Sequence, residues 1–421
     1  MESGSSRREE VASLIEYPLW RKTYMIGFSK CVRLTAVFAL AVFVPNITPA
    51  QHYTQKNLVS DGSVPAPIID PNLINPWGLT RAPLPVGSPW WVGNNGSGTS
   101  TLYDGAGNPI NNFKDPHPDS NGNGINSPFN NFVMVPPPGF APGTASAPNG
   151  VVYNGSPTDF LVAPGKQAIF IFSTEDGTIS GWNPGVSPVN AILKVDNSDK
   201  GANDSAVYKG MTSGEIDGKK FLYVTNFRSG RVEVYDTNFH RVRLGEEAFD
   251  DDSIPVDFAP FNVQNIGGSL FVTYARQDAP RHDPVLGNGG GFVDIFSTKG
   301  ELQARLENGN FFDAPWGVVW TPRDFGEFSN TILVGNFRNG SPATRGSIAA
   351  FNGFTKKFIG FVRNPDNSLV FIDGIWSLTF GNNGVAGPST TLWFTAGPQL
   401  ETHGLFGTLT PVAAEQDGDE E

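Results

Sequence analysis

An all-β, six-bladed β-propeller is the fold this sequence predicts, and three observations predict it. The composition is hostile to helices, a degenerate unit recurs six times, and residues alternate with period 2 inside each unit. Glycine (49) and proline (34) are abundant among the 421 residues, aromatic residues make up 12 %, and charged residues only 17 %. Gly and Pro interrupt helices and populate turns, whereas Phe, Trp, Val and Ile suit a pleated, half-buried surface. The 32 Phe and 9 Trp separate this chain from a Gly/Pro-rich disordered polymer.

The repeated unit has a short opening strand, a second apolar strand ending in a polar turn, and a third strand closing on an aromatic. Its first copy reads Asn75-Pro-Trp-Gly-Leu79, Trp90-Trp-Val-Gly-Asn94 and Ser100-Thr-Leu-Tyr-Asp104. The fifth repeats it almost literally as Pro315-Trp-Gly-Val318, Ile332-Leu-Val-Gly-Asn336 and Ser347-Ile-Ala-Ala-Phe351. The openings at Trp77, Asn149, Lys209, Phe261, Trp316 and Trp376 lie 72, 60, 52, 55 and 60 residues apart. A four-stranded blade takes roughly 40–50 residues, so each unit is one blade with loop insertions. Alternation such as Arg231-Val-Glu-Val-Tyr235 marks strands with two different faces. Radial repetition buries both faces against neighbouring blades. Strand-forming residues at Gln55 to Ser60 place an N-terminal strand beside the last blade, where it closes the ring.

Leu34 to Val44 is an uncharged apolar run preceded by Lys30 and Arg33 and followed by the small-residue exit Thr48-Pro49-Ala50. A basic flank, a short apolar core and small residues describe an export signal over residues 1–50, and the run is short for a membrane span. Met25 is the more usual start for such a signal. The only cysteine, Cys31, leaves with it. The mature protein is then expected outside the cell or in a periplasm, without disulfides and dependent on a large core. Removal of the signal's six Lys/Arg and four Asp/Glu leaves 23 basic and 37 acidic residues, a net charge of −14. That balance argues against nucleic acid and anionic membrane surfaces as partners. The domain layout is therefore a signal (1–50), a monomeric propeller (51–411) and an acidic, solvated tail (412–421) with no stable membrane anchor.

Trp-Gly-Leu, then apolar-Val-x-Asn-x-Gly, then apolar-x-Tyr/Phe-Asp resembles the NHL-type propeller repeat, within the NHL/TolB-like group of folds. Longer motifs are Asp70-Pro-Asn-Leu-Ile-Asn-Pro-Trp-Gly78, Ser173-Thr-Glu-Asp-Gly-Thr-Ile-Ser-Gly-Trp-Asn-Pro184 and Ala259-Pro-Phe-Asn-Val-Gln-Asn-Ile-Gly267. Phe371-Ile-Asp-Gly-Ile-Trp-Ser-Leu-Thr-Phe-Gly381 and His403-Gly-Leu-Phe-Gly407 extend the set. By these motifs the stretch from Tyr53 to Leu409 resembles an uncharacterised, mainly bacterial family of secreted six-bladed propellers. The resemblance implies fold and secretion, and carries no activity with it.

If the opening strands are innermost, the loops before them and the turns after the second strands share one rim around the channel. Concave sites in such folds form there. The rim would carry Glu175, Asp176, Arg228 and Arg338, with Trp77 and Trp316 at the blade openings, as a ligand-binding set. Two arginine forks would suit carboxylate or phosphate groups, or else pair with acids on neighbouring blades. Asp278, Arg281, His282 and Asp283 crowd one loop of blade four, and Glu401 and His403 sit in the blade-six turn. Imidazole and carboxylate on adjacent loops could act as acid and base or hold a divalent ion. Asn75, Asn149, Asn262 and Asp373 precede or open inner strands and could offer oxygen to an axial Ca²⁺. That arrangement is similar to metal-dependent lactonase propellers, whose Glu-Asn-Asn-Asp set is not reproduced here in matching motifs. No H-E-x-x-H, Cys/His pattern or nucleophile elbow is present. The expected function is a secreted scaffold that binds a small molecule, glycan or peptide. The alternative is a Ca²⁺-dependent hydrolase, lactonase-like or lyase, acting through His282, His403, Asp278, Asp283 and Glu401.

Overall fold

The computed structural model describes residues 52–110, 130–140, 144–201, 204–287, 289–337 and 346–412. The chain divides into the units Met1–Thr48 and Pro49–Glu421. The first unit lies outside the described residues, and with it the expected signal, the Met25 start and Cys31. Arg338 and the acidic tail beyond Val412 lie outside them too.

The second unit is a six-bladed β-propeller. Its six principal sheets each start from one inner strand: Pro76–Thr80, Pro148–Tyr153, Tyr208–Ile216, Phe258–Ile266, Pro315–Trp320 and Ile375–Phe380. Each inner strand touches the next, and Ile375–Phe380 returns to Pro76–Thr80, which closes the ring. Five blades follow chain order outward, as in blade three: Tyr208–Ile216, Lys219–Asn226, Arg231–Tyr235 and Arg241–Val242. Blade six is completed from the other end of the unit. Its strands Ile375–Phe380, Leu392–Ala396 and Leu405–Pro411 take Tyr53–Ser60 as the outer partner, antiparallel, with Tyr53 opposite Pro411. The early strand thus joins the last blade and ties the first described residues to the last.

Burial follows the same geometry. Six apolar clusters fill the six seams between blades, and a seventh fills the axis. The seam between blades one and two, for example, packs Trp91 on Phe170 with ring centroids 4.0 Å apart. Both faces of every blade are consequently apolar, which is how a single unit of this size dispenses with cross-links.

One irregularity is repeated in all six blades. Where the inner strand pairs with the second strand, the ladder slips near the opening, and the residues stepped over include Trp77, Asn149, Lys209, Phe261, Trp316 and Trp376. A bulge at that point re-aims one side chain out of the pleat. The aromatic members Trp77, Phe261, Trp316 and Trp376 come from blades one, four, five and six, yet all lie in the axial cluster. The channel is therefore plugged by a ring of bulge residues, with Asn149 and Lys209 at the two positions that lack an aromatic ring. Glycines beside the bulges let the inner strands meet closely. A Cβ on Gly317 would lie 2.3 Å from the Trp376 carbonyl oxygen, and one on Gly78 would lie 2.6 Å from that of Asn149.

Candidate functional site

Strand register places the site. The inner-strand openings pair with the ends of the second strands, Pro76 with Asn94, Tyr208 with Asn226 and Pro315 with Asn336. The turns after the second strands therefore surround the mouth of the channel at which the aromatic plug sits.

Lys209 is the centre of this mouth. It is only 1 % exposed, although an ammonium group is costly to remove from water. Its Nζ donates to Glu175 and, at 3.2 Å, to Asp283. It also lies 5.3 Å from the Trp77 ring centroid and 5.9 Å from that of Phe227, within reach of cation–π attraction. Burial works against its charge, but Glu175 and Asp283 outweigh it and hold the ammonium pKa above the ordinary lysine value.

A chain of amides extends the site across three blades. Glu175 accepts from Asn95 Nδ2 at 2.6 Å, and Asn95 accepts from Asn75 Nδ2 at 3.3 Å. Asn75 Nδ2 also donates to Glu401 at 2.9 Å, while its Oδ1 accepts from the Trp376 indole at 3.0 Å. Glu401 is held by unusual backbone. Gln399, Leu400 and Glu401 all adopt left-handed conformations, with φ of 54°, 63° and 67°. Such conformations cost roughly 1–2 kcal/mol per residue outside glycine. Strain of this kind persists where surrounding structure holds it, and it gathers at functional sites. Burial first, and then the nearby Glu175 carboxylate, raise the Glu401 pKa.

On the opposite side of Lys209, the blade-four loop carries the imidazole. Asp283 bonds His282 Nδ1 at 3.0 Å, and Asp278 accepts from the His282 main-chain N–H at 2.8 Å. The hydrogen bond that His282 donates to Asp283 raises the His282 pKa, and the same bond holds the Asp283 carboxyl far below the usual range. Glu175, His282 and Asp283 form the one group of potential metal ligands among the described residues, with ligand atoms within 4.8 Å of one another. Lys209 Nζ already bonds two of the three.

The remaining candidates are distributed otherwise. His403 is bonded by Asp61 at 2.7 Å, beside the outer strand of blade six, so its imidazole serves that corner. Asp176 accepts from the Ala147 N–H at 2.8 Å, and burial raises its pKa. Arg228 donates to the Ser205 carbonyl at 3.2 Å and forms no ion pair with Glu175, Asp176 or Asp278. Trp77 and Trp316, 1 % and 4 % exposed, form the floor of the site within the plug, so a ligand on the rim meets the polar groups above them first.

The side chains considered for axial Ca²⁺ hold blades and loops together. Asn149 donates to the Tyr208 carbonyl and accepts from Ser173 Oγ at 2.7 Å. Asn262 donates to the Trp316 carbonyl at 2.8 Å, and Asp373 accepts from the Gln399 N–H at 2.9 Å, supporting the Glu401 turn. In this arrangement they knit the ring and brace its loops. In the sequence Lys209 marks only a blade opening. The signal for its role is a lysine at a repeat position where four other blades carry Trp or Phe.

No family model matches this chain. Three uncharacterised proteins of Acanthamoeba polyphaga mimivirus are similar to it in sequence. One is 29 % identical over 368 residues, covering 84 % of this chain and 78 % of the relative. Another is 27 % identical over 363 residues, covering 84 % of each. The third is 30 % identical over 254 residues, but the match covers only 44 % of that longer protein. These relatives are viral and give no support to the expectation of a mainly bacterial family. Among solved structures, a catalytically inactive virginiamycin B lyase from Staphylococcus aureus with quinupristin aligns with a TM-score of 0.42 at 10 % identity, over 86 % of this chain and 100 % of that one. The Dos1 propeller aligns with a TM-score of 0.36 at 10 % identity, over 82 % of this chain and 70 % of that one.

Proposed function

We propose that this chain is a secreted binding propeller whose rim, from Glu401 through Asn75, Asn95 and Glu175 to Asp283, holds a cationic group of a peptide or amine-bearing ligand without transforming it. The observation that carries the reading is the single ammonium of Lys209 set among three carboxylates, Glu175, Asp283 and Glu401. Even with His282 protonated beside Asp283, two positive charges face three carboxylates, and Glu401 is the carboxyl with no ion pair among the described residues. A ligand cation beside Glu401 would supply the missing charge and favour the ionised carboxyl. The aromatic plug closes the axis beneath, so the ligand seats on the rim rather than inside a tunnel.

The test is calorimetric titration of the mature chain with a lysine-rich peptide, a neutral glucan and an acidic peptide. The lysine-rich peptide should bind, more weakly at higher salt, and Glu401→Gln should weaken it by about tenfold. Binding of the glucan or the acidic peptide in its place would sink this reading.

The grouping of Glu175, His282 and Asp283 favours a second reading, a divalent-ion site supporting hydrolysis or lyase chemistry. It requires the ion to displace Lys209 from two carboxylates. Elemental analysis, with ester and lactone hydrolysis followed with and without chelator, separates the two.

A further inference from the structure

At the other mouth of the channel the chemistry is reversed. The far ends of the inner strands of blades one to four line an open cavity of about 290 Å³. Its accessible lining is mostly polar, with hydroxyl and amide groups from Thr80, Ser213 and Gln264, and Leu79, Val151 and Met211 add a smaller apolar patch. Among the described residues no carboxylate lines it, and Arg81 does. The Arg81 guanidinium makes one hydrogen bond, from Nη2 to the Gly381 carbonyl at 3.2 Å, and lies 5.6 Å from the Trp90 ring centroid. Its Nε is buried and without a partner. It has no acidic partner among the described residues, in a chain with 41 acidic and 29 basic side chains. Arginine stays protonated under such conditions, so the site keeps a positive charge that the protein leaves unbalanced.

We propose that this cavity binds a small organic anion, with its carboxylate or phosphate group on Arg81 and its apolar part against Leu79, Val151 and Met211. The planar guanidinium suits either oxyanion, and the hydroxyls of Thr80 and Ser213 can donate to the same group. The volume falls at the low end of small-molecule pockets, which run from roughly 300 Å³ upward, and this restricts the ligand to a compact one. The site shares no residue with the acidic rim and does not rest on the function proposed for it.

Calorimetric titration of the full chain with butyrate and, separately, inorganic phosphate tests this and distinguishes the two anion chemistries. At least one should bind with one site per chain, while butanol should not bind. Arg81→Gln should weaken binding by about tenfold or more, and Arg81→Lys should keep part of it. Gln264 is exposed and makes no side-chain hydrogen bond among the described residues, so Gln264→Glu should fold normally. It places a carboxylate in the cavity and should abolish binding, whereas Glu401→Gln should leave it intact. If neither anion binds, or if Arg81→Gln and Gln264→Glu bind as the parent does, the proposal is wrong.

Discussion

The Trp316 indole donates to the main-chain carbonyl of Lys209 at 2.8 Å, and so joins blade five to blade three across the mouth of the channel. Neighbouring blades meet through their seams, but these two are not neighbours. The bond fixes the backbone of the one charged residue in the plug, and with it the point on which Glu175 and Asp283 converge. Trp316→Phe keeps a six-membered aromatic ring but removes the donor together with part of the indole. It should cost at least about 1–3 kcal/mol, the penalty of a buried carbonyl left unpaired, with lost packing added, read from urea denaturation. Stability equal to the parent's would show that the bond contributes nothing to the ring.

Lys209 and Glu175 form a nearly dry ion pair, with side chains 1 % and 12 % exposed. Removing one member of such a pair strands the other, at a cost of about 3–5 kcal/mol. Lys209→Met should lower stability by that order at neutral pH. Adding Glu175→Gln should recover a substantial part, because the stranded charge goes with it. Thermal unfolding of both variants makes the comparison, and a double variant no better than the single one would argue for lost packing instead.

His282 has a raised pKa, with the hydrogen bond to Asp283 as the main cause. The sign follows from that direction. Stabilisation from the charged pair is fully present below the unfolded histidine value near 6.5 and fades as pH rises through the higher folded value. The depressed Asp283 keeps its side of the pair ionised well into acid. NMR titration of the imidazole should report a pKa above 6.5 in the parent and a fall toward that value in Asp283→Asn.

Glu401 has the opposite effect on stability. Its folded pKa is raised by burial, so between the unfolded value and the folded one the folded state holds the extra proton. Stability should therefore decline as pH rises through that interval, and Glu401→Gln should flatten the decline. Chemical denaturation across pH 4 to 8 would reveal it. An unchanged slope in the variant would place the responsible carboxyl elsewhere.

Gly317 tests the closeness of the ring. An added methyl would stand 2.3 Å from the Trp376 carbonyl oxygen, which belongs to the next inner strand and cannot turn aside. Gly317→Ala should cost about 1–3 kcal/mol, as overpacking does in a dense core. Gly360, with nothing within 4 Å of its added Cβ, is the matched control.

The fold was open to reading because its determinants are local and repeated. Trp90–Asn94 is the strand anticipated for the first blade, and Arg231–Tyr235 the one anticipated from alternation in the third. The six openings, spaced by turn chemistry and period-2 alternation, are the inner strands, and the strand at Tyr53–Ser60 closes the last blade. Each of these follows from a few adjacent side chains choosing a face. The site was legible only as a rim. Glu175, Asp283, His282 and Glu401 were drawn from it, but their partners were not, since Asn75 meets a carboxylate 326 residues away. His403 and His282 share one rim in the sequence, on turns of different blades, but Asp61, brought beside His403 by ring closure, bonds its imidazole instead. Sequence by itself thus determined the number of blades, their order and the mouth at which polar groups gather, because period and turn residues are written along the chain. Tertiary structure alone decided that bulges turn one residue per blade into the axis, that Lys209 stands among the aromatics there, and that Arg81 borders the opposite cavity without an acidic partner among the described residues. Those outcomes depend on which blades meet across the ring, a relation that spacing along the chain does not encode.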